Sequence, residues 1–159
     1  MLEQPSLLIG PWNPSAGAAV RPLYAVGDAA VGFVRQTPLK APRWLQWLER
    51  RQLEVYETPD GSLVFALRRG WGWPAGWHIL DAEDRHIGTL RGRALLDGFG
   101  HFLGAVEPPD WKGGGRFLAQ QGRVLGHYAR EAEGTRVTFA MALEGNPFAR
   151  MLLLGALLV

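Results

Sequence analysis

Asn146-Pro-Phe-Ala-Arg-Met-Leu-Leu-Leu-Gly-Ala-Leu-Leu-Val159 decides the reading of the fold. Asn146 suits an N-cap, where its side-chain oxygen accepts a free amide hydrogen, and Pro147 suits the first helical position, where no donor is needed. Beyond them Phe148, Met151, Leu152, Leu153, Leu154, Leu157, Leu158 and Val159 cover every face of a helix, with Arg150 its one charge. A helix that is apolar all round must be buried in protein or in lipid. Residues 147–159 span only about 20 Å at about 1.5 Å per residue, well short of a hydrocarbon core of about 30 Å. The segment is expected inside a protein domain, and no transmembrane span is expected.

The rest of the chain supplies walls for that interior. Leu53–Leu67 reads as a hairpin turning at Pro59-Asp60-Gly61, Trp77–Leu90 as one turning around Ala82–Arg85, and Arg116–Tyr128 as one turning around Gln120–Gly122. Thr135–Leu143 alternates, which places Val137, Phe139, Met141 and Leu143 on one face of a further strand. Serial hairpins with one apolar face each close best as a barrel around something apolar, and the C-terminal helix is the available filling. The fold class expected is mainly β: a closed antiparallel barrel of serial hairpins enclosing a hydrophobic C-terminal helix at about residues 147–158. Residues 1–17, rich in Pro and Gly, are read as an irregular N-terminal arm, and residues 18–159 as a single domain. The Ala18–Val34 stretch gives a weak strand signal broken by glycine, and Pro38 and Pro42 bracket a loop. Trp44, Leu45, Trp47 and Leu48 mark one face of a short amphipathic helix over Arg43–Arg51.

The totals agree with one globular domain. Hydrophobic residues make up 47% and charged residues 20%, which excludes a disordered chain, and 21 Gly with 11 Pro suit short strands and turns. Net charge is +2, too balanced to point to nucleic acid, so no nucleic-acid partner is expected. The absence of cysteine excludes disulfides, thiolate metal sites and a thiol nucleophile. Met1-Leu-Glu-Gln-Pro5 lacks the basic start and apolar core of a signal peptide, so the cytoplasm is the expected location, peripheral at the membrane if lipid is bound.

Repeated hairpins of the type Ile79-Leu-Asp-Ala-Glu-Asp-Arg-His-Ile-Gly-Thr-Leu-Arg-Gly92, a late strand and an apolar C-terminal helix resemble the tubby C-terminal-like superfamily, over roughly Val31 to Val159. The phospholipid scramblase and LURP-one-related branch is the nearer likeness. That resemblance implies a closed barrel around a central helix and a lipid- or membrane-surface role. It carries no site over residue by residue: there is no cysteine for the palmitoylated segment of eukaryotic scramblases, Glu131, Glu133 and Glu144 are too scattered for a calcium cage, and no lysine marks the phosphoinositide patch of tubby proteins.

Chemistry-bearing stretches are few. Asp81-Ala-Glu-Asp-Arg-His86 would set Asp81 opposite His86 if the hairpin turned between Glu83 and Asp84, an arrangement that can orient a general base. Polar residues of this kind more often simply make turns. No nucleophile elbow, phosphate loop or His-Glu-x-x-His helix accompanies it, so no catalytic residue is assigned and the protein is expected not to be an enzyme. His78, His86, His101 and His127 fall on different strands, with a spacing that does not call for a metal, and neither metal nor cofactor is expected. The glycine run in Trp111-Lys-Gly-Gly-Gly-Arg116 reads as a loop, since no helix follows to hold phosphate.

The most unusual stretch is Arg68-Arg-Gly-Trp-Gly-Trp-Pro-Ala-Gly-Trp77. Arg68, Arg69, Trp71, Trp73 and Trp77 are the lipid- or partner-binding residues expected here, because indoles beside arginines suit a headgroup zone or a protein contact. The plainer alternative is a lid packed over the barrel mouth. A non-enzymatic module binding an anionic membrane surface is the functional expectation, with a soluble protein-interaction or structural scaffold as the alternative and a hydrolase using Asp81 and His86 third.

Overall fold

The computed structural model describes residues 1–15, 18–38, 51–70 and 76–159. Among these described residues thirteen strands follow in chain order: β1 Ser6–Ile9, β2 Asn13–Ser15, β3 Ala18–Tyr24, β4 Ala30–Pro38, β5 Arg51–Glu57, β6 Leu63–Arg69, β7 Trp77–Asp81, β8 His86–Arg91, β9 Ala94–Asp97, β10 Phe102–Val106, β11 Gly115–Ala119, β12 Val124–Glu131 and β13 Gly134–Phe139. The helix α1, Pro147–Leu158, comes last. Each strand from β3 to β13 pairs antiparallel with the next, and β1 pairs with both β13 and β3. The result is a closed antiparallel barrel of twelve strands, with β2 continuing the line of β1 along β3.

The irregular arm expected over residues 1–17 is corrected by this closure. Leu7, Leu8 and Ile9 are fully buried, and the register Ser6↔Thr138 to Ile9↔Thr135 seals the wall. Four residues flanked by Pro5 and Gly10 are too short to show a strand period, so only their partners reveal them. The helix expected over Arg43–Arg51 lies outside the described residues, apart from Arg51, which opens β5.

The interior is continuous. Val34, Val55, Phe65, Leu67, Ile79, Phe117 and Val137 line it with no exposure and meet Leu152, Leu153, Leu154 and Leu158 of α1. Asn146 caps the helix by accepting the amide of Ala149 at 3.0 Å. Two glycines let α1 lie against the β7–β8 wall. A Cβ on Gly155 would come within 2.9 Å of Ile79 Cδ1, and one on Gly88 within 2.6 Å of Leu152 Cδ2. Both contacts are closer than side-chain carbons approach, so these positions trade helix and strand propensity for proximity.

Arg150, the charge on the helix, is buried and reaches the N-terminal segment. Its Nη1 donates to the carbonyls of Leu2 at 2.5 Å and Gln4 at 3.2 Å, and its guanidinium lies 5.2 Å from the Phe139 ring centroid. The strand expected to run through Leu143 ends at Phe139. A 3-10 turn, Met141–Leu143, follows, which buries Leu143 but leaves Met141 81% exposed, off the face where alternation had put it.

Candidate functional site

The β7–β8 hairpin does not bring Asp81 and His86 together. Strand pairing sets His86 opposite Leu80 across a bulge, while the Asp81 carboxylate folds into its own turn. It accepts the amides of Glu83 at 3.1 Å and Arg85 at 2.9 Å, and the Arg85 Nε–H at 2.7 Å. The same device recurs twice. Asp97 takes the amides of Phe99 and His101, and Asp110 those of Lys112 and Gly114. An aspartate that opens a turn and caps the amides two and four residues on is a turn former.

Burial opposes ionisation of Asp81, but the Arg85 amide and guanidinium, with the Glu83 amide, hold its carboxyl below the usual range. Its stabilisation is therefore complete above the unfolded value of about 3.9 and is lost as pH falls through the lower folded value. Asp81→Ala is expected to cost about 1–3 kcal/mol in urea unfolding at neutral pH by leaving turn amides unpaired. The deficit should shrink below about pH 4, where the wild type itself loses this stabilisation. An equal deficit at both pH values would contradict this account.

His86 turns instead to the outer wall of the barrel. Its Nε2 lies 3.4 Å from Nδ1 of His78 on β7 and 3.0 Å from the Thr89 hydroxyl, which is itself 3.3 Å from His78 Nδ1. The two rings meet edge to face, with centroids 5.3 Å apart. Burial, then the nearby charges of His86 and Arg91, pushes the His78 pKa down. The other two histidines stand apart: His101 pairs with Asp97, and His127 is exposed on β12. Among the described residues no three or more His, Asp or Glu side chains are gathered as a metal-ion cluster.

The Arg68–Trp77 stretch is divided by the fold. Arg68 donates to Asp84 at 2.8 Å along the outer wall, Arg69 is exposed at the end of β6, and Trp77 is half-buried against the core. Trp71 and Trp73 lie outside the described residues. The connection that carries them starts at Gly70 and returns at Gly76, whose carbonyl accepts the Gly70 amide at 2.7 Å.

Antiparallel neighbours send successive connections to alternate ends of the barrel, and this sorts the aromatic residues in a way that chain position does not reveal. The end where β4, β6, β10 and β12 finish has Trp77 at the start of β7 and Trp111, 89% exposed, in the connection between β10 and β11. Trp12, 38% exposed, follows β1 at the same end, with Arg21 stacked on its ring at 5.6 Å. The remaining four tryptophans of the chain fall between Pro38 and Arg51 or between Gly70 and Gly76, whose flanking strand ends belong to this rim.

Charge follows the same division. Arg69, Arg91, Arg93, Lys112 and Arg130 are exposed at the tryptophan rim, where Lys112 lies 4.7 Å from the Trp111 ring centroid. Asp28, Asp60, Glu83, Asp84 and Glu144 are exposed at the opposite end, so each end has an excess of one sign, although Asp110 and Glu133 are exposed at the rim and Arg85 and Arg123 opposite it. Beside Trp111 an open groove of about 650 Å³ is lined by Glu107, Lys112, Arg116, His127, Tyr128 and Arg130. Glu107 neutralises Arg116 there through a two-pronged pair at 2.7 and 3.1 Å.

No family model matches this chain, and no curated protein matches it. Among solved structures it is similar to the X-ray structure of a protein from Arabidopsis thaliana, with a TM-score of 0.61 and 12% identity over 98% of this chain and 91% of that one. Likeness at that identity shows the fold alone. No helix among the described residues is long and apolar enough to cross a membrane.

Proposed function

We propose that the protein is a non-enzymatic module that binds lipid at an anionic membrane surface, placed peripherally at the cytoplasmic face and resembling the scramblase and LURP-one-related branch of the tubby-like proteins. One observation carries the reading: the described tryptophans all lie at the rim that is also rich in exposed arginine and lysine. Indoles favour the headgroup zone, and each basic side chain near an anionic leaflet adds about 1 kcal/mol of attraction at low screening. Leaving Trp111 in water is unfavourable, and such exposed aromatic groups mark contact sites. The carboxylates of the opposite end are repelled by the same surface, so the charge distribution orients the barrel rim-first. Arg69, Trp71, Trp73 and Trp77 belong to this contact in the proposal, whereas Arg68 is engaged by Asp84.

A second reading, a soluble protein-interaction scaffold, draws on the opposite end. Phe99 is 90% exposed there, and Met141 and Phe148 are exposed as well. Co-sedimentation with phosphatidylcholine vesicles, with and without phosphatidylserine, separates the two. Binding is expected only with phosphatidylserine. It should weaken with rising salt, weaken in Trp111→Ala and in Trp71→Ala/Trp73→Ala, and persist in Met141→Ser. A wild-type protein that stays in the supernatant at low salt would favour the scaffold.

A further inference from the structure

We propose that His78 and His86, with the Thr89 hydroxyl between them, form a surface chelate for a divalent transition-metal ion of the zinc–copper class. Two imidazole nitrogens bound to one tetrahedral zinc at about 2.0–2.1 Å each stand about 3.3–3.4 Å apart. His78 Nδ1 and His86 Nε2 are separated by 3.4 Å, long for a hydrogen bond but suited to that bite. Thr89 Oγ1, at 3.0 and 3.3 Å from the same two nitrogens, completes a triangle that serves as one face of the coordination shell. Its oxygen occupies a third position or orders a water there, and the exposed side of both rings leaves the remaining positions to solvent.

The backbone prepares this arrangement. A Cβ on Gly70 would lie 2.6 Å from His78 Nε2, so the imidazole sits where any side chain on residue 70 would stand. That placement tucks Nε2 against Gly70, just beyond β6, and turns Nδ1 toward His86. The charged groups around the pair are Arg91 on β8, Arg68 on β6 and Asp84 in the turn. Asp84 takes up the charge of Arg68, and Arg91 limits the affinity by like charge.

The test uses the full chain without a histidine tag, titrated with Zn²⁺ by calorimetry and followed by NMR of the histidine ring protons. One ion per chain is expected, shifting the His78 and His86 signals and leaving those of His127. His78→Ala and His86→Ala should each weaken binding by at least about tenfold, the order lost when a metal's supporting groups are removed. Gly70→Ala, which keeps both imidazoles but displaces one, should weaken it too, and near-UV CD would show that these outer-wall variants keep the fold. Absence of saturable binding to the wild type, or wild-type affinity retained in His78→Ala or His86→Ala, would overturn the site. Neither outcome bears on the tryptophan rim, since vesicle binding is measured without metal.

Discussion

Truncation before Pro147 should leave a chain without a cooperative melt and with collapsed near-UV CD, and Leu153→Asp should approach the same state in the full-length protein. Leu152, Leu153, Leu154 and Leu158 are each almost completely buried inside the barrel. Burying a leucine is worth about 1.5–3 kcal/mol, so four of them rival the net stability of a domain, about 5–15 kcal/mol. The strands cannot recover this by collapsing, because twelve of them in a closed ring hold a diameter that α1 fills. Leu153→Asp adds an unpaired charge to a place without water. An unchanged melting temperature in either variant would refute the enclosed helix.

Arg150→Ala comes next in expected effect. The guanidinium satisfies the carbonyls of Leu2 and Gln4, which lie at the end of the barrel where α1 enters. Removing it strands two acceptors and empties the volume of a long side chain, a loss on the order of 3 kcal/mol. Arg150→Met, which refills the volume without the donors, should recover part of that loss but not all. Urea unfolding of the three proteins provides the comparison, and equal midpoints for wild type and Arg150→Ala would show that the residue is dispensable.

Much of the architecture was legible because its signals were local. The turns at Pro59-Asp60-Gly61, Ala82–Arg85 and Gln120–Gly122 fall where hairpin chemistry placed them, and α1 follows its Asn-Pro start. β1 was not legible, since a four-residue strand next to proline is recognised only by its partners β13 and β3. Asp81 makes a turn, the commoner role for such a residue, and the pairing with His86 was the part not legible. Opposition to His86 presupposes an unbulged register, and the bulge at Ile79/Leu80 shifts it, while the aspartate's own turn amides offer closer donors. A legible clue existed: Asp81, Asp97 and Asp110 each sit at the start of a turn, in the position that caps amides two and four residues on.

The tryptophan rim was hidden by counting. Which end of a meander a connection occupies depends on whether the number of strands before it is odd or even. With no period visible in β1, and one weak strand signal over Ala18–Val34, the sequence leaves that parity undefined. Trp12, Trp77 and Trp111 are far apart in sequence, and only the completed ring shows that they share one rim.

Closure through β1 also orders events in time. Ser6 pairs with Thr138, so the wall is sealed by residues from opposite ends of the strand series, while α1 follows β13 in the chain. A cage cannot be shut first and filled afterwards when its filling is a helix packed against Gly88 and Ile79. Docking the helix through the side of the barrel requires an open, curled sheet, with β1 as the last strand to pair on that route. Until then the facing edges of β3 and β13 are unpaired and can pair with a second chain, so the hazardous period for this protein is the wait before the β1 latch closes.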